Sequence, residues 1–119
     1  MHAIGTDIVQ IARWEKHAGQ DSSFLRRTLT SAEIEDCGGR AASLAGRWAA
    51  KEAVLKTLGV GIGGVPLTDI EVLRTESGQP VVRLRGQAAE RADVLGLHQW
   101  QVSISHDGDY AVAFVVATD

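Results

Sequence analysis

One carboxylate of this sequence stands among apolar residues. Residues 40–58 are rich in alanine and contain no proline, which predicts a long helix. With about 100° between successive residues, Glu52 lies in the same arc as Trp48 and Leu55. A carboxylate in such a place needs a cation, hydrogen bonds or a metal, because removing it from water is costly. Either Glu52 pairs with Lys56, a contact worth roughly 0.3–0.5 kcal/mol, or it faces a divalent cation while Lys56 binds phosphate.

Asp7 is a second carboxylate in an apolar setting. It interrupts residues 3–11, whose β-branched side chains predict a strand, and Gly5 just before it would let a ligand approach the backbone. Asp7 and Glu52 together would form a site with two carboxylates. Mg²⁺ accepts so few protein ligands, because water and substrate phosphate fill its other positions. A zinc site would require more ligands from the protein.

Two further features suggest contacts with phosphate. Residues 59–66, GVGIGGVP, contain four glycines, and their backbone N–H groups could face a phosphate. This segment follows a helix and does not open one, so it is not a Walker loop. His106 ends the segment VSISH; a histidine there is more often a turn residue than a ligand contact.

The elements that would position these residues can be predicted from local patterns. Thr30 and Glu33 have the spacing of a capping box, which predicts a helix over residues 31–37 that stops at Gly38 and Gly39. Gly59 should end the long helix. Further strands are expected at residues 69–75, 80–86, 100–106 and 111–117, with a second long helix at residues 88–97. This order predicts an α+β domain in which an antiparallel sheet packs on the long helix.

Composition excludes several classes of protein. The 119 residues are 45% hydrophobic, enough for one domain spanning residues 1–119. Cys37 is the only cysteine, which excludes an internal disulfide and a cysteine-based zinc site and fits a reducing cytoplasm. The formal net charge of −3 argues against a nucleic-acid binder. Without a signal peptide or an apolar stretch of about 20 residues, we expect a soluble protein with no membrane partner.

A short basic segment stands out within this weakly acidic chain. Residues 13–27 contain four basic and two acidic side chains. Such a segment is either ordinary solvated surface or a docking face for an acidic partner, since local charge steers encounter even against the net charge.

Four segments together resemble a known family. They are GTDIVQIAR at residues 5–13, FLRRTLTSAE at 24–33, AGRWAAKEAVLKTLGVGIG at 45–63 and VSISHDGDYAVA at 102–113. Their order and sequence closely resemble the holo-acyl-carrier-protein synthases, the short bacterial 4′-phosphopantetheinyl transferases. The resemblance implies the fold of that family in a homotrimer. It also implies Mg²⁺-dependent transfer of 4′-phosphopantetheine from coenzyme A to a serine of an apo carrier protein, in support of fatty acid or polyketide synthesis.

The resemblance also implies a role for individual residues. Asp7 and Glu52 occupy the metal-ligand positions, and Lys56 matches a lysine near the pyrophosphate, so these three are the expected catalytic residues. The expected contacts to coenzyme A are Lys56, Arg47, Gly59, Gly61, Gly63 and His106. Arg13 and Arg27 match arginines that meet the acidic helix of the carrier protein. The acceptor of the serine proton stays open between a carboxylate such as Glu35 and a metal-bound water.

In this family the active sites lie between neighbouring subunits. The apolar last strand and the three tryptophans of this chain are compatible with a buried surface between subunits.

Two other functions remain possible from the residues alone. A Mg²⁺-dependent pyrophosphohydrolase acting on nucleotides would use similar groups, but such enzymes usually carry clustered glutamates on one helix, and the long helix here has only Glu52. A nucleotide-binding or structural module without catalysis would need Glu52 and Lys56 only as an ion pair.

Overall fold

The computed structural model describes residues 2–119 and confirms the expected α+β class. Short helical pieces and a 3₁₀ turn at Leu67–Asp69 connect the main elements. In chain order the elements are β1 (His2–Gln10), α1 (Ala12–Glu15), α2 (Ser23–Thr28), α3 (Ser31–Cys37), α4 (Ala41–Leu58), β2 (Ile70–Arg74), β3 (Pro80–Leu84), α5 (Gly86–Leu95), β4 (Gln99–Asp107) and β5 (Tyr110–Thr118). Each strand and helix predicted from the sequence is present, with bounds that differ by at most a few residues.

The strands form two antiparallel sheets rather than the single sheet that was expected. One sheet has the order β1-β5-β4, so that Ala113 on the central strand lies opposite both Asp7 and Ile104. The hairpin β2–β3 forms the second sheet by itself. β3 lies beside β4 but is not hydrogen-bonded to it.

Helix α4 occupies the centre of the structure. It packs on β1, β5 and β4 on one side and also contacts β2, α1, α3 and α5. Alternate residues of β5 explain the packing: Ala113 and Val115 are buried toward the helix, whereas Val112 and Phe114 are exposed on the outer face of the sheet. The helix ends at Gly59 in the left-handed conformation, with φ of 71°, as its sequence predicts. Within residues 2–119, no helix has the length and apolar character needed to span a bilayer.

The predicted capping box at the start of α3 is present, but its glutamate does more than cap. The Glu33 carboxylate accepts a hydrogen bond from the Thr30 N–H, at 2.8 Å, and Glu33 N–H donates to Thr30 Oγ1. Glu33 is also fully buried, accepts from the Val72 N–H and forms an ion pair of 2.6 Å with Lys51. The ion pair joins α3 to α4, and the hydrogen bond from Val72 joins α3 to β2. The local capping pattern could not predict either contact.

Strand β1 lies unusually close to α4 at Gly5. A Cβ atom at this position would lie 2.0 Å from the carbonyl oxygen of Ala53 and 2.5 Å from Thr57 Oγ1. Only a glycine therefore fits between the strand and the helix. Asp7, two residues further along, faces the same side of the strand as Gly5 and is carried to the surface of α4.

We predict that Gly5→Ala destabilises the protein by about 1–3 kcal/mol or more, because the added methyl group meets backbone atoms that cannot move aside independently. Gly61→Ala is the matched control, since an added Cβ there meets no atom within 4 Å. Thermal unfolding followed by circular dichroism measures both variants. Equal melting temperatures for the two variants would show that the close approach at Gly5 is not required.

Candidate functional site

The structure brings Asp7, Lys56 and Glu52 together where β1 crosses α4. Lys56 Nζ donates to Asp7 Oδ1 at 3.2 Å and to the carbonyl oxygen of Thr6 at 2.8 Å. The Asp7 side chain is 17% exposed, whereas that of Lys56 is 55% exposed. Lys56 therefore pairs with Asp7 across the two elements. The simpler interpretation, an ion pair between Glu52 and Lys56 along the helix, is wrong because the ammonium group turns toward the strand.

Glu52 carries an unsatisfied oxygen. Its Oε1 atom is buried and has no hydrogen-bond partner among the described residues. Burial raises the pKa of Glu52 and the nearby charge of Asp7 raises it further, while Lys56 opposes both effects. A half-buried carboxylate with an unpaired oxygen, close to a second carboxylate, is a favourable place for a hard divalent cation.

The residues present fit a cation that takes few ligands from the protein. Within residues 2–119, no group of three or more His, Cys, Asp or Glu side chains is placed to hold a metal ion. A cation at this place would have Asp7 and Glu52 as its protein ligands and would keep its other positions for water or substrate oxygens. Mg²⁺ is commonly bound in this way.

The glycine-rich segment of residues 59–66 continues directly from this end of α4. Gly59, Gly61 and Gly63 are all exposed, and Gly63 has a φ of 89°. The Gly59 N–H is used to end the helix, since it donates to carbonyl oxygens of the last turn. The N–H groups of Gly61 and Gly63 make no hydrogen bond to any described residue, and both can donate to an anion.

Arg47 is not part of this cluster. Its side chain is buried and its guanidinium donates to the carbonyl oxygen of Val72 and to Asp36 Oδ2, each at 2.7 Å. The ion pair with Arg47 lowers the pKa of Asp36 below its usual value. Arg47 links α4 to α3 and β2 through these hydrogen bonds. Because its guanidinium is buried in these contacts, the structure does not support its predicted contact with coenzyme A.

His106 and Glu35 also lie apart from Asp7 and Glu52. His106 is exposed near the end of β4, opposite Ala111 on β5, and the width of β5 separates it from β1. Glu35 is exposed on α3, where it lines a shallow groove with Asp36 and Arg74. Neither residue makes a described contact with the carboxylate cluster.

An aromatic groove lies beside the basic segment. It has a volume of about 420 Å³ and begins at Val9, two residues beyond Asp7 on β1. Arg13 borders the groove and is exposed, as is Arg27 on the neighbouring helix α2. The remaining lining residues are Trp14, Lys16, His17, Phe24 and Trp48.

The groove contains functional candidates that no pattern in the sequence indicates. The rings of His17 and Phe24 are stacked with centroids 4.8 Å apart, and those of Trp14 and Trp48 lie 5.5 Å apart. The spacing of these residues in sequence gives no signal, because the group combines α1 and the turn after it with α2 and the long helix α4.

The three tryptophans pack in or against the core of their own chain. Trp14 is buried, and Trp48 and Trp100 pack against the core. The exposed apolar side chains of the outer sheet face come from β1 and β5 instead; they are Ile4, Ile8, Tyr110, Val112 and Phe114.

Comparisons with known proteins agree over almost the whole chain. Residues 3–115 match the model of the 4′-phosphopantetheinyl transferase superfamily. The holo-[acyl-carrier-protein] synthase of Herpetosiphon aurantiacus is 44% identical, with 98% of each chain covered, and that of Gloeobacter violaceus is 48% identical, with 97% of this chain and 91% of the relative covered. The crystal structure of the Helicobacter pylori holo-[acyl-carrier-protein] synthase in complex with coenzyme A has a TM-score of 0.85 and 38% identity, and 97% of this chain and 99% of that chain are covered.

We predict that Glu52→Gln stabilises the metal-free protein at neutral pH. Because the pKa of Glu52 is raised in the folded state, its ionisation costs stability as the pH rises through that pKa, and the amide avoids this cost. The advantage should vanish below the ordinary pKa of 4.5, where Glu52 is protonated in both states. Melting temperatures measured in a chelator from pH 3.5 to 8 test this, with the exposed Glu90→Gln as control. A variant less stable than the wild type at pH 7 would contradict the prediction.

Proposed function

The chain belongs to the 4′-phosphopantetheinyl transferase superfamily, and we propose that it catalyses the reaction of the holo-acyl-carrier-protein synthases. It transfers 4′-phosphopantetheine from coenzyme A to a serine hydroxyl of an apo acyl carrier protein and releases adenosine 3′,5′-bisphosphate. The observation that carries this proposal is the unpaired oxygen of Glu52 beside Asp7 and Lys56. A solved relative similar over 97% of this chain is in complex with coenzyme A.

Residues 1–119 form one phosphopantetheinyl transferase domain in this proposal, which the match over residues 3–115 supports. The enzyme works in the cytoplasm, where the buried free thiol of Cys37 stays reduced.

Asp7 and Glu52 are the proposed ligands of the Mg²⁺ ion on which the reaction depends. When bound there, Mg²⁺ would neutralise the pyrophosphate of coenzyme A and stabilise the leaving phosphate. Lys56 holds Asp7 in place through one N–H and contacts Thr6 through a second. Its third N–H is free to donate to a phosphate oxygen, since an ammonium group has three donors.

The remaining protein groups orient coenzyme A. The free N–H groups of Gly61 and Gly63 donate to phosphate oxygens of coenzyme A, and Gly59 gives the chain the left-handed turn that starts this segment. The serine oxygen of the carrier forms a bond to the β-phosphorus as its hydroxyl proton passes to solvent water, and the bond from that phosphorus to the oxygen bridging the two phosphates breaks. The departing oxygen belongs to the adenosine 3′,5′-bisphosphate, whose charge the ammonium group of Lys56 stabilises.

The carrier protein docks on the basic side of the aromatic groove. Arg13 and Arg27 are exposed and are not engaged in any described ion pair. Both are free to attract an acidic helix that carries the serine. The groove that Arg13 borders can accept an apolar side chain of the same partner.

The active form is a homotrimer in this proposal. The outer face of the sheet exposes Ile4, Ile8, Val112 and Phe114, with exposed fractions from 37% to 65%. An apolar patch of this kind is typical of a surface that is covered by another chain. In such an assembly His106, which lies apart from Asp7 in its own chain, would reach coenzyme A bound to a neighbouring subunit.

The central experiment incubates the protein with coenzyme A, Mg²⁺ and an apo carrier and follows the added phosphopantetheine by intact mass. We predict that Glu52→Gln lowers the rate by roughly 100-fold or more, because the amide keeps the shape but loses the charge that the cation needs. Glu90→Gln serves as the control on an exposed helix surface. If Glu52→Gln keeps the wild-type rate at limiting Mg²⁺, Glu52 is not a ligand of the metal. Loss of coenzyme A without any carrier would indicate a hydrolase instead.

For the docking surface we predict that Arg13→Glu or Arg27→Glu raises the KM for the carrier by roughly tenfold at low salt, because rim charges govern the encounter with an acidic partner. The salt dependence of that KM should become weaker, while the affinity for coenzyme A stays unchanged. Arg83→Glu makes the same charge change on the exposed side of β3. If the double variant of Arg13 and Arg27 has the wild-type KM at low salt, the carrier docks elsewhere.

A further inference from the structure

The glycine-rich segment of residues 59–66 has few interactions of its own. Most of its residues are exposed, and within its span one hydrogen bond is described, from the Gly64 N–H to the carbonyl oxygen of Gly61. A segment with four glycines also loses much conformational entropy when it is ordered. Val65 is buried in the core near one end and Val60 packs against the core near the other, so the exposed glycines between them depend on how the two ends are held.

Lys51 fixes the end where the segment returns to the core. Its Nζ atom donates to the carbonyl oxygens of Leu67 and Ile70 and forms the 2.6 Å ion pair with Glu33. These three partners use all three N–H donors of the ammonium group. Because the Lys51 side chain is completely buried, water cannot replace a lost partner. The chain just beyond Pro66 is thereby held against α4 at Lys51.

Arg91, on α5, fixes the end where the segment leaves α4. Its Nε atom donates at 3.1 Å to the carbonyl oxygen of Leu58, the last residue of the helix. This carbonyl has no partner within the helix, and a cation is favoured at a helix C-terminus. An Nη atom of the same guanidinium lies 3.7 Å from the position of a Cβ on Gly59, where the segment begins.

We propose that Lys51 and Arg91 are positioning residues that hold the two ends of residues 59–66 and thereby set the affinity for coenzyme A. Neither needs to touch the substrate. Lys51 binds two main-chain carbonyl oxygens at one end of the segment, and Arg91 binds one at the other end. The N–H groups of Gly61 and Gly63 therefore meet the phosphates in a fixed place. This inference rests on the proposed function, in which the segment binds coenzyme A.

The main test compares Arg91→Gln with Arg83→Gln, which removes the same charge from an exposed position on β3. For Arg91→Gln we expect the Kd for coenzyme A, by titration calorimetry with Mg²⁺, to rise about three- to tenfold. The KM for coenzyme A should rise by the same factor, whereas kcat and the KM for the carrier stay within about twofold of the wild type. Arg91→Lys keeps a cationic donor and should recover most of the affinity.

Amide hydrogen exchange separates positioning from direct contact. Without ligand, the N–H groups of Val60 and Gly64, which donate to Leu55 and Gly61, should exchange faster in Arg91→Gln than in Arg83→Gln. Weaker binding of coenzyme A with unchanged exchange would mean that Arg91 touches the ligand, and would overturn the positioning role.

Lys51→Met tests the other end, measured at a temperature where circular dichroism shows the variant to be folded. Its Kd for coenzyme A should rise at least as much as that of Arg91→Gln. A folded Lys51→Met with wild-type affinity overturns the role of Lys51, and Arg91→Gln with the affinity of Arg83→Gln overturns that of Arg91. If Lys51→Met does not fold, the Arg91 variants decide the proposal. A wild-type protein that neither binds coenzyme A nor modifies the carrier would instead refute the proposed function.

Discussion

The close approach of β1 to α4 at Gly5 is the constraint on which the site depends. The strand lies directly on the carbonyl oxygen of Ala53, with no room for a side chain between them. Because side chains alternate along a strand, Asp7 then points at the same helix surface two residues later. Lys56 can reach both the Asp7 carboxylate and the carbonyl oxygen of Thr6 only because the two elements are this close. A larger separation would leave each charged group alone in its own element.

Helix α4 uses its charged residues in two different ways on its two sides. Toward β2, the side chains of Arg47 and Lys51 are buried and donate to main-chain carbonyl groups and to Asp36 and Glu33. Toward β1, Glu52 and Lys56 keep hydrogen-bonding capacity that the protein does not use. Satisfied buried polar groups lock neighbouring elements in one arrangement. The unsatisfied side, held by that rigid frame, is the side able to bind a ligand.

Local signals predicted most of the fold, and tertiary contacts limited the prediction of the site. The capping box of Thr30 and Glu33 and the end of α4 at Gly59 depend on residues close in sequence, and both were predicted correctly. The partner of Lys56 could not be found in this way, because Asp7 is 49 positions away. Arg47 was assigned to coenzyme A because a basic residue on that helix matched the family pattern. No sequence pattern revealed that Val72 and Asp36 enclose it.

The charges of the cluster explain why its groups can serve an anionic substrate. With both carboxylates ionised, Asp7, Glu52 and Lys56 carry one net negative charge in a partly buried place, where burial first and then the charge of Asp7 raise the pKa of Glu52. This imbalance favours a divalent cation over a phosphate as the first ligand. Once a divalent cation compensates the carboxylates, the net charge of the cluster would be positive, and Lys56, Gly61 and Gly63 have N–H groups free to donate to an anion. The same residues that repel a pyrophosphate without a metal would therefore attract it when a metal is bound.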